Sequence, residues 1–328
     1  MTNTFNAYIL EEANGKSAGR LARIGLGELD AGEVVIKTTY AGVNYKDALA
    51  GTGSAPVIRR FPCIGGIEAV GVVTESASDG FRAGDEVIVH GRGLGVSHHG
   101  GFSEYVRVPA AWVLHLPSGL AMHDAAAIGV AGHTAAIAVD LMELNGLKPS
   151  NGPVAVTGAT GGVASLALDM MSGAGYELVA VSRKKDRHDY LRELGAAGVI
   201  EAPAPDQPSR PIESAQWAGA VDAAGGHLLA WLLRGMRPQG TVACFGNAAG
   251  IKLDITVLPF ILRGVRLLGV NADTDPVYRR HIWNRVSTDL KPTRLESIAQ
   301  FVTLDELPDV FEKMIDGETV GRYVVKFQ

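Results

Sequence analysis

A glycine turn near the middle of the chain has the residue types and spacing of a phosphate-binding turn. Residues 154–156 are apolar, residues 158–163 read GATGGV, and apolar side chains return at helical density from Leu166. A strand, a tight turn and a helix start in this order bind a dinucleotide pyrophosphate, because glycines allow close backbone approach and the helix start offers free N–H groups. The residues predicted to contact the cofactor here are Thr160, Gly161, Gly162 and Val163.

The end of the next predicted strand carries cations where NAD-binding proteins usually carry an acid. Residues 177–181 are mostly apolar, and Ser182, Arg183 and Lys184 follow them. An acid about 20 residues after the glycine turn binds the ribose 2′-hydroxyl of NAD, whereas a hydroxyl and two cations suit the 2′-phosphate of NADPH. The sequence therefore favours NADPH, and a solvated basic loop is the alternative.

The composition is typical of a globular enzyme with more than one hydrophobic core. The chain has 328 residues and a net charge of −5 at pH 7, which argues against a nucleic-acid partner. Cys63 and Cys244 are too few for a disulfide framework or a structural zinc site, and the first residues lack the pattern of a leader peptide. We therefore expect a cytoplasmic protein.

One apolar run is long enough to span a membrane. It covers residues 120–142, but ionisable side chains interrupt it, at His123, Asp124, His133 and Asp140. Alanine and glycine dominate the rest of the run. These features favour a closely packed helix of a soluble protein, with no membrane partner.

The strand and helix patterns divide the chain into two domains. Short strands with glycine turns come first, at residues 33–38, 71–75, 85–90 and 103–108. Strands and helices then alternate, which predicts a doubly wound parallel sheet, with later strands at residues 219–224, 241–245 and 265–270. The last segment, residues 321–327, has the pattern of a strand that rejoins the first domain. The predicted domains are residues 1–123 with 273–328, and residues 124–272.

Further motifs resemble the medium-chain dehydrogenase/reductase superfamily over nearly the whole chain. The motifs are GGIEAVG at residues 65–71, FRAGDEV at 81–87 and GGFSEY at 100–105. Within the superfamily, other segments resemble the acryloyl-CoA reductases, namely residues 44–49, 58–62, 217–222 and 259–269. The resemblance implies an α/β fold with an irregular, β-rich GroES-like catalytic domain and a Rossmann domain. It also implies NADPH-dependent reduction of acryloyl-CoA to propanoyl-CoA and a homodimer paired through the edge strand 265–270.

The resemblance also indicates chemistry without zinc. Zinc-dependent members use two cysteines and a histidine, and the matching positions here are Asn44, Ile67 and Val130. Reduction of a conjugated carbon–carbon bond needs no Lewis acid, because the negative charge develops on a thioester oxygen that N–H groups can stabilise. His98 and His99 are expected to pack in their loop or bind substrate, since two adjacent histidines without a third ligand do not form a metal site.

Other site residues are assigned by the same resemblance. Tyr45 is the candidate for contacting the nicotinamide and donating a proton, with a stacking role as the alternative. Asn44 is a candidate for binding substrate or for ordering its loop, and Arg59 and Arg60 suit the phosphates of coenzyme A unless they form an ordinary surface pair. Further cofactor contacts are expected at Asn247, Ile261, Ala272 and Arg322, the last of which could instead form an interdomain salt bridge.

Two other functions remain open at this stage. Superfamily members without zinc also include quinone reductases, and some relatives bind NADPH without turnover. Activity with the thioester but little with free acrylate is expected of an acryloyl-CoA reductase. A quinone reductase would prefer a simple quinone, and a non-catalytic protein would bind NADPH without oxidising it.

Overall fold

The structure is a computed structural model that describes residues 4–328. Its strands, in chain order, are β1 Thr4–Ala13, β2 Lys16–Gly25, β3 Val34–Val43, β4 Cys63–Ile64, β5 Glu68–Ser76, β6 Glu86–His90, β7 Tyr105–Val108, β8 Val113–His115, β9 Val154–Thr157, β10 Leu178–Val181, β11 Gly198–Ile200, β12 Trp217–Asp222, β13 Met236–Cys244, β14 Arg266–Gly269, β15 Ala299–Val302 and β16 Arg322–Lys326. Its α-helices are α1 Tyr45–Gly51, α2 Met122–Leu144, α3 Gly162–Gly173, α4 His188–Glu193, α5 Gly226–Arg234, α6 Leu258–Arg263, α7 Pro276–Ser287, α8 Leu295–Ile298 and α9 Leu307–Ile315.

The chain forms two compact units. Unit 1 comprises the chain up to Val130 together with Asp275–Arg280 and Ala299–Gln328. Unit 2 comprises Ala131–Thr274 and His281–Ile298. Each unit has its own sheet and core, as expected for a chain of this length.

Unit 1 is the irregular β-rich part of the chain. Its larger sheet has the order β15-β16-β3-β5-β6-β8, with β7 also paired to β3, and its smaller sheet has the order β2-β1-β4. Strand β16 pairs antiparallel with β3, which confirms that the last strand rejoins the first domain. The β1–β2 hairpin was not predicted, although Asn14 and Gly15 adopt the positive φ angles of a tight hairpin turn, 52° and 75°.

Unit 2 is a doubly wound sheet with parallel strands, as predicted. The strand order is β11-β10-β9-β12-β13-β14. Thr157 is in register with Val181 on one side and with Asp222 on the other, so neighbouring strands end at the same edge. Ligands bind at this carboxyl edge in open α/β sheets. Strand β14 lies at the side edge of the sheet, where the sequence analysis expected an exposed strand.

The unit boundaries differ from the predicted ones after residue 272. His281–Ile298 belongs to unit 2, whereas the prediction assigned it to the first domain. Side chains explain the difference, because Arg294 pairs with the buried Asp169 of α3 at 2.7 Å and Arg285 pairs with Asp140 of α2 at 2.9 Å. These long-range pairs are not visible in the local sequence pattern.

Helix α2 is the long apolar run and contains a kink. Its backbone is non-helical at Gly129, with φ 47° and ψ −151°, a conformation that favours glycine. A Cβ at Gly129 would also meet the carboxylate of Glu68. The helix is long and apolar enough to cross a membrane, but 89% of its most apolar window is buried inside the protein. It is therefore a core helix, and unit 1 ends within it at Val130 instead of at residue 123.

Candidate active site

The glycine turn of unit 2 connects β9 to the start of α3. Gly158 has a positive φ of 58°, and the N–H of Gly161 donates to the carbonyl of Gly158 at 2.9 Å. A Cβ at Gly161 would lie only 3.3 Å from that carbonyl oxygen. The first N–H groups of α3 have no partner within the helix, and the positive end of the helix dipole lies there. The turn therefore fits a phosphate group.

A buried hydrogen-bond cluster fixes the strand ends beneath this turn. The Thr157 hydroxyl donates to Asp222 Oδ1 at 2.6 Å and accepts the N–H of Ala223 at 3.2 Å. Asp222 Oδ2 accepts the N–H of Gly225 at 2.9 Å, and burial raises the pKa of this carboxyl group above its ordinary value. The sequence analysis did not assign this role to Asp222. An acid at the end of the otherwise apolar strand β12 was the available signal.

The residues predicted to bind the 2′-phosphate lie beside the glycine turn. Ser182 directly follows β10, and the last residue of that strand is in register with Thr157 at the end of β9. Ser182 is 7% exposed, and its hydroxyl accepts the N–H of Lys184 at 3.1 Å. The side chain of Arg183 is exposed. The structure thus brings the hydroxyl and a basic side chain to the same sheet edge as the turn.

The remaining cofactor candidates of unit 2 follow strands β13 and β14. Asn247 is exposed just after β13, and its loop is anchored where Ala249 donates to the carbonyl of Ala224 at 2.7 Å. Ile261 lies on α6 and is 67% exposed. Ala272 is half-buried after the end of β14. These positions are accessible, and their cofactor contacts stay predictions.

Unit 1 contains a buried ion pair between Glu68 and Arg322. The two side chains are 1% and 2% exposed, and the guanidinium also donates to the carbonyls of Val43 and Ala127, each at 3.1 Å. The second carboxylate oxygen of Glu68 accepts the N–H of Val130 at 2.8 Å. Arg322 is therefore engaged within unit 1, which favours a salt bridge over the predicted cofactor contact. The salt bridge lies within one unit and is not interdomain.

Asn44 and Asp47 connect this ion pair to the start of α1. The Asn44 amide donates to Glu68 at 2.7 Å and accepts from Arg322 at 3.0 Å, so its polar atoms are already used. Asp47 accepts the N–H groups of Asn44 at 2.8 Å and Ile67 at 3.1 Å. Burial raises the pKa of Asp47 to about 7, with a further contribution from nearby Glu68. These contacts favour the loop-ordering role of Asn44 over a substrate contact.

Tyr45 is an exposed aromatic residue of this segment. It is the first residue of α1 and is 43% exposed. The capping contacts of Asn44 and Asp47 fix its backbone. The ring is thus presented on a rigid helix start, and this arrangement suits either a stacking contact or a proton donor.

The three positions that match the zinc ligands of the superfamily do meet in space. Asn44 and the N–H of Val130 both bind Glu68, and the N–H of Ile67 binds Asp47. However, the isoleucine and valine side chains are hydrocarbons without lone pairs, and the asparagine oxygen accepts from an arginine. Across residues 4–328 no cluster of three His, Cys, Asp or Glu side chains suits a metal ion. These residues do not fit zinc.

The two arginines expected near coenzyme A have different surroundings. Arg60 pairs with Asp30 at 2.5 Å, and this carboxylate also accepts the N–H of His99 at 2.7 Å. Arg59 has an exposed side chain, while its N–H donates to the carbonyl of Val96 at 2.9 Å. Arg59 is therefore the more available of the two for an anionic ligand.

The adjacent histidines serve to pack their loop. His98 Nε2 lies 3.2 Å from the carbonyl oxygen of Ala31, and its ring stacks edge-on against Trp112. Burial lowers the pKa of His99 below its ordinary value. The packing role that the sequence analysis considered is therefore the one supported by these contacts.

Comparison with known families agrees with this architecture. Residues 30–118 match the alcohol dehydrogenase GroES-like domain, and residues 162–288 match the zinc-binding dehydrogenase domain. The first match lies in unit 1, whereas the second covers most of unit 2 and all of α7. The predicted combination of a GroES-like domain and a Rossmann domain is confirmed.

Relatives match the chain over almost its entire length. The putative quinone oxidoreductase YhfP of Bacillus subtilis is 41% identical, with 99% of this chain and 100% of that protein covered. The acrylyl-CoA reductase AcuI of Ruegeria pomeroyi is 39% identical, with 98% of each chain covered. Crystal structures of Escherichia coli YhdH with NADPH and of YhfP with NAD are both 40% identical. They have TM-scores of 0.94 and 0.95 and cover 98% and 99% of this chain and 100% of each matched chain. The chain belongs to the medium-chain dehydrogenase/reductase superfamily, in the group that includes the acrylyl-CoA reductases.

Proposed function

We propose that this protein reduces the α,β double bond of acryloyl-CoA to give propanoyl-CoA, with NADPH as the reductant. The observation that carries the proposal is the full-length similarity to AcuI, which is named an acrylyl-CoA reductase. Ser182 and Arg183 beside the glycine turn support the choice of NADPH, because NADP-binding proteins place a hydroxyl and a cation at the 2′-phosphate. NADPH is also the ligand in the structure of E. coli YhdH.

The reaction requires little of the protein beyond positioning and charge stabilisation. Bound NADPH would supply a hydride to the β-carbon of the enoyl thioester. The free N–H groups of α3 and the glycine turn would hold the cofactor pyrophosphate. Negative charge develops on the thioester oxygen, where N–H groups or hydroxyls of the chain would stabilise it. Protonation of the α-carbon then completes the product.

Tyr45 is our candidate for the residue beside the nicotinamide. Its exposed ring on the fixed start of α1 supports this assignment. We expect Tyr45→Phe to retain most of kcat and Tyr45→Ala to lose much more if the ring acts by stacking. A loss in Tyr45→Phe of about 10²-fold or more in single-turnover hydride transfer would instead identify the hydroxyl as the proton donor.

Arg59 is the better of the two arginine candidates for coenzyme A, because Arg60 is already paired with Asp30. An exposed guanidinium suits the anionic oxygens of the phosphates. We expect Arg59→Gln to raise KM for acryloyl-CoA without changing KM for NADPH. Equal changes in both constants would contradict this role.

Quinone reduction is the second candidate function. YhfP is named a putative quinone oxidoreductase, and its crystal structure contains NAD. The alternative considered for this protein is an NADPH-dependent quinone reductase, so the two candidates differ in the acceptor that they reduce. The basic residues after β10 favour NADPH in either case.

The decisive experiment measures initial rates of NADPH oxidation by the purified protein with acryloyl-CoA, crotonyl-CoA and a simple quinone side by side. We expect acryloyl-CoA to give the highest kcat/KM and free acrylate to give almost none. A quinone preference would overturn the substrate assignment. Tight NADPH binding with no acceptor reduced would support the non-catalytic alternative.

We further infer that the protein is a cytoplasmic homodimer. Strand β14 is an edge strand with Leu267 36% exposed, and nearby α6 exposes Ile261 and Leu262 at 67% and 66%. An apolar strand edge of this kind is suited to pairing with a second copy. Analytical ultracentrifugation should give a dimer mass that Leu267→Glu reduces to that of a monomer. A wild-type monomer at micromolar concentration would contradict the proposal.

A further inference from the structure

A cavity lies at the amino-terminal edge of the sheet of unit 2, opposite the carboxyl edge that carries the glycine turn. It has a volume of about 440 Å³, and its polar lining comes from Asn145, Asn151, Arg237, Gln239, Thr241 and Arg266. We propose that this cavity binds a small phosphate-bearing anion. Neither the proposed reaction nor the glycine turn uses any of these residues.

The two arginines in the lining carry charges that no carboxylate neutralises. Arg237 donates to the carbonyl of Asn151 at 2.8 Å. Arg266 donates to the carbonyl of Gln239 at 2.9 Å and to its side-chain oxygen at 2.7 Å. Throughout residues 4–328, neither guanidinium has an ion-pair partner. Two positive charges at one cavity favour an anion, and guanidinium groups match the oxygens of phosphate.

A buried hydroxyl in the lining gives an independent indication of a ligand. Thr241 is 1% exposed, and its Oγ1 has no hydrogen-bond partner in the described part of the chain. Buried polar groups are almost always paired in native proteins, since an unpaired one is costly. A rotation of the Thr241 side chain towards the cavity would let this hydroxyl donate to a phosphate oxygen.

The position of the cavity separates it from the glycine turn. Its lining residues include the amino-terminal parts of β13 and β14, whereas the turn lies at the carboxyl end of β9. Along β13, Arg237 and Cys244 are seven residues apart, or roughly 20 Å at the rise of a strand. A ligand in the cavity should therefore bind together with NADPH without competing with it.

The test is isothermal titration calorimetry of the full chain with inorganic phosphate and, separately, inorganic pyrophosphate. NADPH is present at a saturating concentration so that the anion cannot bind at the glycine turn. Potassium chloride at matched ionic strength is the blank. We expect saturable binding of at least one anion, weakened more than tenfold in Arg237→Gln/Arg266→Gln. The charge-matched control is Arg210→Gln/Lys252→Gln, because both of its residues are exposed and lie outside the cavity lining. The control should bind like the wild type.

A conservative change tests the hydroxyl separately. Thr241→Val keeps the branched shape and should leave the melting temperature without anion unchanged or raised. It should weaken anion binding about tenfold, because one hydrogen bond to a charged group is lost. Absence of saturable binding to the wild type, or equal binding to the wild type, Thr241→Val and the double variant, would overturn the proposal. Binding of pyrophosphate alone would identify a diphosphate ligand, and binding of both anions would identify a single phosphate group.

Discussion

Two regions of the molecule hold the backbone in place near candidate functional residues. One is the glycine turn of unit 2, and the other is the buried ion-pair network of unit 1. The turn uses neighbouring residues between Gly158 and Gly162, and its geometry depends on backbone conformation and the absence of side chains. The network joins Asn44 and Glu68 to Arg322, which is 278 residues from Asn44 in the sequence. A contiguous turn can change without affecting the rest of its unit. A network of distant residues links local geometry to the stability of the whole unit.

The largest expected effect is on the network. Glu68→Ala would leave the guanidinium of Arg322 buried without its carboxylate, which costs about 3–5 kcal/mol in comparable buried pairs. We expect a fall of that size in the free energy of unfolding, measured by urea titration with circular dichroism. Glu11→Ala is the control, because its pair with Arg20 is exposed, and it should unfold like the wild type. Wild-type stability of Glu68→Ala would remove the distinction between the two regions.

The matching change in the turn should affect binding and leave folding nearly intact. A valine at Gly161 would crowd the carbonyl of Gly158 and the space for a phosphate. We expect Gly161→Val to raise the NADPH dissociation constant by at least about tenfold, with stability changed by less than about 1 kcal/mol. Gly173→Val, at the far end of the same helix where a Cβ meets no neighbour, is the matched control. Similar binding losses in both variants would contradict a specific role of the turn.

Cofactor choice gives an effect of comparable size that is selective for one cofactor. Arg183→Gln/Lys184→Gln should raise KM for NADPH about 10- to 100-fold, because a hydrogen bond to a charged group contributes about 1.5–3 kcal/mol. KM for NADH should change little, since NADH lacks the 2′-phosphate. Lys185→Gln is the neighbouring control, because its side chain is exposed and pairs with Glu201. Equal changes for both cofactors would identify the segment as an ordinary basic loop.

The last expected effect is the pH dependence that Asp47 adds to the network. Its pKa is about 7 in the folded protein against an ordinary value of 3.8, so the folded state holds an extra proton between these values. The stability that this proton contributes is complete below about pH 4 and is lost as the pH rises through 7. Relative to Asp47→Asn, wild-type unfolding free energy should therefore fall from pH 5 to pH 8. If the unfolding free energy of the wild type minus that of Asp47→Asn is constant or rises with pH, the raised pKa is contradicted.

Local patterns predicted much of unit 2. Glycines at 158, 161 and 162 between an apolar strand and a helix indicate a phosphate-binding turn. The strand, the turn and the helix start can each be predicted because each depends on residues close together in the sequence. The strand ending at Val181 and the edge strand β14 were predicted for the same reason, and the structure contains both. The hairpin at Asn14 and Gly15 had a comparable local signal that the sequence analysis did not use.

The side-chain partnerships could not be predicted in this way. Nothing in the neighbourhood of Arg322 indicates that Glu68 will be buried against it, and a cofactor phosphate was an equally reasonable partner for a guanidinium. Asp222 beneath the glycine turn was missed because its partner Thr157 lies on another strand. The same limitation explains the displaced boundary after residue 272, where Asp169 binds Arg294.

The amino-acid sequence by itself determined the two-domain α/β architecture, the glycine turn after β9 and the basic end of β10, because backbone conformation and strand burial follow from short-range patterns. Only the tertiary structure decided that Asn44 and Arg322 belong to a buried network with Glu68, and that Arg60, and not Arg59, pairs with Asp30. The physical reason is that a charged side chain binds whichever opposite charge the fold places beside it. That neighbour is set by packing between distant segments and not by the adjacent sequence.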